Sequence, residues 1–223
     1  RSPYFINTGG ILKSSVNAGK GSPDEIETLV SSLTQESDAD RIRKIMLEES
    51  IGIECSGFVY NVYDFWLKDA GKGELKDYLP KVNFINLRKF LSRKFKPQNS
   101  IGADEMTSSP FANKILVNQV MPGDLIRTRN GRHVILITEV EYENDLPKRL
   151  FYAQSNRFTE EVDRDAKNGV RKGVIELDES LDLGKARWID SIDNYFDEYT
   201  FKGYRELAEK NGIFRPKLPI LGV

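Results

Sequence analysis

The sequence predicts an α+β fold, and three observations carry that prediction. In the first half of the chain apolar residues recur with a period near 3.6, the mark of helices with one buried face. From Lys114 onward the period shortens to two and β-branched residues take over. Pro122-Gly123, Asn130-Gly131, Asn144-Asp145 and Asn168-Gly169 then punctuate the second half at strand-sized intervals. Helices followed by a meandering antiparallel sheet define the α+β class. The 223 residues suffice for one domain, 1–223, with a sizeable core.

The elements follow in order. Residues 1–21 read as an irregular lead-in containing Ser2-Pro3-Tyr4, Gly9-Gly10 and a Gly19-Lys20-Gly21 turn, the last too short for a phosphate loop. Beginning Arg-Ser-Pro without a signal-type apolar run, the chain reads as a mature or trimmed piece. Ser22, Pro23 and Glu25 spell a helix start with a capping box, and Ile26, Leu29, Val30 and Leu33 form its stripe. A second short helix, about 40–49, turns Ile42, Ile45 and Met46 inward. The stretch 51–66 begins a third, with Phe58, Val59, Val62, Phe65 and Trp66 on the buried face; Gly71 and Gly73 end it. A helix over 83–95 directs Phe84, Leu87 and Leu91 inward; Arg88, Lys89, Arg93 and Lys94 lie elsewhere on it and read as a solvated face, with a basic surface for a polyanion as the alternative. Residues 98–110 read as a polar loop.

Strands are predicted at 114–120, 124–128, 133–141, 149–155, 170–177 and 187–191, a sheet of about five to six strands. A helix over 194–210 stops at Gly212, and 213–218 forms at most an edge strand, because Pro216 and Pro219 exclude a central one.

Composition narrows the partners. Lys+Arg 33 against Asp+Glu 34 gives a net charge of -1, which favours neither nucleic acid nor an anionic membrane. No apolar run approaches the roughly 18 residues of a membrane span. The single cysteine excludes an internal disulfide and leaves the compartment and oligomeric state open.

Cys55 stands at or just before a helix N-terminus, where free N–H groups and the helix dipole favour a thiolate. A lone cysteine is also often a small inert hydrophobe. His133, the only histidine, opens a strand. A single histidine cannot build a histidine-rich metal site, and one cysteine without a Cys–His cluster argues against structural zinc; no metal or cofactor is expected. They can build a nucleophile and base, which need a third polar group on the far ring nitrogen. On the next strand Tyr152 and Gln154 share one face; the Gln154 amide oxygen can accept from an imidazole N–H, with Tyr152 in reserve.

Glu54-Cys55-Ser56-Gly57-Phe58-Val59 opening a helix, then Pro122-Gly123-Asp124-Leu125, then His133-Val134 opening a strand, resembles the NlpC-type papain-like cysteine peptidases (thiol proteases) of bacterial cell walls. Ser2-Pro3-Tyr4 with Gly9-Gly10 is similar to the segment that precedes the family's cysteine. Residues 22–50 and 71–113 fall outside the resemblance and would be helical insertions. The resemblance implies a papain-like domain with Cys55 as nucleophile, His133 as base and a polar residue on the next strand as third member. It implies that Tyr4 lines the site and that Glu54 and Ser56 hold the amino end of a peptide. Glu54 stands where the family shows Asp, and Arg132 where it shows Gly. The expected activity is hydrolysis of an amide in peptidoglycan stem peptides through a thioester, by a secreted or envelope protein. A thiol amidase or acyltransferase, and an inactive wall-binding relative, are the alternatives.

Overall fold

A computed structural model describes residues 14–82, 85–156, 168–190 and 196–222. Its first long helix, α1 (Pro23–Leu33), starts as the sequence predicts. The Ser22 hydroxyl accepts from the Glu25 amide at 3.2 Å, and the Glu25 carboxylate accepts from the Ser22 amide at 2.8 Å. Asp38 caps α2 (Ala39–Glu48). Ile26, Leu29, Val30 and Ile42 pack around Val16, Met46 and Ile51, whereas Leu33 is exposed.

Helix α3 (Cys55–Asp69) buries a face rotated from the expected one. Val59, Tyr60, Tyr63 and Leu67 point into the core, Phe58, Val62 and Trp66 line its margin, and Phe65 is 71 % exposed. Tyr63, absent from the expected stripe, goes inside because its hydroxyl donates to the Gly123 carbonyl at 2.6 Å. Helix α4 (Leu87–Phe95) is also turned from expectation. Leu87 and Leu91 are exposed, while Ser92 is buried and Arg93 packs inward on Glu105 at 2.6 Å. Phe84 lies outside the described residues. The supposed loop 98–110 contains a short helix, α5 (Ala103–Met106), whose Ala103 and Met106 join Ile101 in the core.

Among the described residues seven strands, rather than five to six, form one antiparallel sheet. They are β1 (Ala112–Ile115), β2 (Leu125–Thr128), β3 (His133–Glu143), β4 (Leu146–Asn156), β5 (Gly169–Glu176), β6 (Arg187–Asp190) and β7 (Gly212–Pro216), in the order β1-β7-β2-β3-β4-β5-β6. The final strand is therefore interior and β1 is the edge, reversing the expectation from Pro216. That proline lies beyond Phe214, the last β7 residue that β2 pairs, so its missing N–H interrupts no ladder there. Asn144 and Asp145, at φ 51° and 63°, make the tight β3–β4 turn that their dipeptide predicts.

Alternation along the strands gives the sheet two apolar faces. Leu125, Val134 and Leu136 pack with Cys55, Val59 and Tyr63 of α3. On the opposite face Ile126, Ile135, Ile137, Tyr152, Ile175 and Trp188 pack against Tyr204 of α6 (Glu198–Arg205). The predicted helix 194–210 is shorter than its periodicity suggested: Leu207, at φ 55°, breaks it. His133 opens β3 at the end of this sheet, and α3 delivers Cys55 to the same end.

Candidate active site

The segment before α3 is tied at two points. Ser155 Oγ of β4 donates to the Ile53 carbonyl at 2.6 Å, and the Glu54 amide donates to the Gly19 carbonyl at 2.8 Å. Gly57 is needed here: a Cβ at that position would stand 2.5 Å from the Gly19 oxygen. The Gly19-Lys20-Gly21 turn, read from sequence as punctuation, thus packs on the first turn of the cysteine helix.

Glu54 is the N-cap of that helix. Its carboxylate accepts from the amides of Gly57 at 2.7 Å and Ser56 at 3.1 Å, and from the Ser56 hydroxyl. The Lys20 ammonium, 2.7 Å away, completes the network and also donates to Ser56 Oγ at 2.7 Å. Burial alone would raise the Glu54 carboxyl, but Lys20 and the Ser56 hydrogen bonds outweigh it and hold it below the usual range. Glu54 and Ser56, expected from the resemblance to receive a peptide's amino end, are both buried and already satisfied within this network.

Cys55, the first residue of α3, is 2 % exposed, and its thiol donates to Glu54 Oε2 at 3.4 Å. Burial first, and the Glu54 charge second, push the thiol well above its ordinary range; the Val134 amide pulls the other way. The expected thiolate-favouring helix end is therefore overturned in this arrangement. Its free amides are occupied by Glu54, so the sulfur faces a carboxylate rather than an unspent dipole. Iodoacetamide should accordingly modify the folded protein at pH 8 far more slowly than the same chain unfolded in guanidinium. Equal rates, followed by mass spectrometry, would contradict this burial.

His133 is 3 % exposed, and its Nε2 lies 2.7 Å from Gln154 Oε1. Burial, followed by the Arg129 guanidinium, lowers the imidazole from 6.5 to about 4. Near neutral pH the thiol and the imidazole are thus both uncharged. Between those two values the unfolded chain binds the histidine proton and the folded chain does not, so stability rises with pH through this window. This contribution, about 3 kcal/mol, is fully present above pH 6.5 and lost as pH falls through about 4. Urea titrations of wild type and His133→Gln at pH 7 and 4.5 should reveal it as a difference in acid sensitivity; equal losses would refute it.

Gln154 is fully buried, and its amide donates to Thr200 Oγ1 at 3.0 Å and Asp197 Oδ2 at 3.4 Å. Tyr152 donates its hydroxyl to the same Asp197 oxygen at 3.0 Å. Tyr4 lies outside the described residues. Lys20, Asp197 and Thr200 were not singled out from the sequence. Asp197 and Thr200, three apart at a helix start, do carry a readable cap signal, since the Thr200 amide donates to Asp197 Oδ1 at 3.2 Å.

Among the described residues no group of three or more His, Cys, Asp or Glu side chains could hold a metal ion, and no helix is long and apolar enough to cross a membrane. Compared with protein-family models, curated proteins and solved structures, the chain matches none of them.

Proposed function

We propose that the protein is a papain-like cysteine hydrolase that cleaves an amide bond in peptidoglycan stem peptides through a thioester. The observation that carries the reading is the buried hydrogen bond between the single histidine and Gln154, on a strand whose next backbone amide, that of Val134, approaches the Cys55 sulfur. Gln154 Oε1 accepts from Nε2–H and leaves Nδ1 as the basic nitrogen. The Val134 amide, next to His133, points at the Cys55 sulfur. Because both groups rest neutral, the reading takes His133 as general base: Nδ1 accepts the thiol proton as sulfur adds to the carbonyl carbon. His133 then returns that proton to the leaving amine, and water resolves the thioester. The sulfur is buried, so substrate reaches it only when the side chains packed over it part.

Incubation with purified muropeptides tests the reading: release of a new amine and capture of an acyl adduct on Cys55 by mass spectrometry are expected. Absence of both across wall peptides and simple amides would reject it. The burial of Cys55 favours a second reading, an inactive relative that binds wall peptide without turnover; saturable binding with no product would select it.

A further inference from the structure

Asp197 is held independently of the site it touches. Its backbone amide donates to the Trp188 carbonyl of β6 at 2.8 Å, and its Oδ1 caps α6. Its Oδ2, directed into the sheet, accepts from the Tyr152 hydroxyl and from the Gln154 amide nitrogen. Asp197 and Gln154 are both fully buried, so no solvent compensates a wrong pairing.

A primary amide can be turned end for end at little steric cost, and its partners decide which end goes where. Thr200 Oγ1, 3.0 Å from the Gln154 nitrogen, can donate or accept and therefore tolerates either orientation. The Asn156 amide, 3.4 Å from Gln154 Oε1, can itself be turned to suit. A carboxylate only accepts. Reversing Gln154 would bring its oxygen against Asp197 Oδ2 with no proton between them, and would aim its NH2 at the His133 Nε2. The imidazole would then have to carry its proton on Nδ1.

We propose that Asp197 is a positioning residue: acting through Gln154, it locks the single imidazole in the Nε2–H tautomer and keeps Nδ1 free as a base. The inference rests on the hydrolase reading only for the use made of Nδ1; the tautomer itself stands on the Asp197, Gln154 and His133 contacts. In the catalytic setting Asp197 touches neither substrate nor reacting atoms.

The chain contains one histidine, so a two-bond 1H–15N correlation spectrum of protein labelled with 15N-histidine reports this ring alone. At pH 7 the wild type is expected to show only the Nε2–H pattern, and an Nδ1–H pattern would overturn the proposal without any variant. Asp197→Asn keeps an acceptor for the helix cap while supplying a donor beside Gln154. It should introduce a substantial Nδ1–H population and lower kcat at least 10-fold with KM little changed. Asp197→Ser, which also caps but removes Oδ2, should likewise relax the tautomer. Retention of a pure Nε2–H signal in a folded variant refutes the proposal. A tautomer that responds in a protein with no hydrolytic activity upholds the role of Asp197 and rejects the hydrolase instead.

Discussion

Cys55→Ala is expected to lower turnover of a cleaved muropeptide by roughly 10⁴-fold or more, since nucleophile and base act as one unit. His133→Ala should cost a comparable factor, and the double variant should be little worse than either single one. The fold should survive. Alanine removes one buried sulfur and one 3.4 Å contact to Glu54, a loss on the order of 1 kcal/mol. Circular dichroism and thermal melting therefore accompany the kinetics. Wild-type turnover by a folded Cys55→Ala protein would end the assignment of the nucleophile, and additive losses in the double variant would argue that the two groups do not work together.

Asp190→Ala is expected to produce the largest loss of stability. Arg171 of β5 and Asp190 of β6 form an ion pair inside the sheet, with side chains 0 % and 1 % exposed. Removing the carboxylate takes an anionic partner from the buried guanidinium, and breaking one side of a buried ion pair costs about 3–5 kcal/mol. For a chain of this size that corresponds to a fall in Tm on the order of 10 °C. Arg171 also pairs in register with Gln154, so the loss should reach the candidate site. Replacing both charges by apolar residues, as in Arg171→Met with Asp190→Leu, should recover much of the stability. A melt unchanged by Asp190→Ala would show that the pair contributes nothing to the fold.

The α+β class, the capping box at Ser22 and Glu25, and the tight turn at Asn144 and Asp145 were legible in the sequence because each is decided within a few residues. Cys55, His133 and Gln154 could be singled out because their chemistry is rare in this chain and alternation puts Gln154 on a definite strand face. The buried faces of α3 and α4 were misread because Tyr63 and Arg93 go inside only when distant partners, Gly123 and Glu105, receive them. The interior place of β7 was equally hidden, since pairing with both β1 and β2 is a contact across about a hundred residues.

By itself, then, the sequence determined the class of helices followed by strands, which residue types could carry nucleophilic chemistry, and that one cysteine and one histidine must serve if any do. The tertiary structure alone decided their state. It set Lys20 on Glu54, placed that carboxylate against the sulfur, and buried the imidazole against Gln154 under Asp197. Protonation and tautomer follow from desolvation and from partners brought in across the fold, and neither is encoded in local spacing.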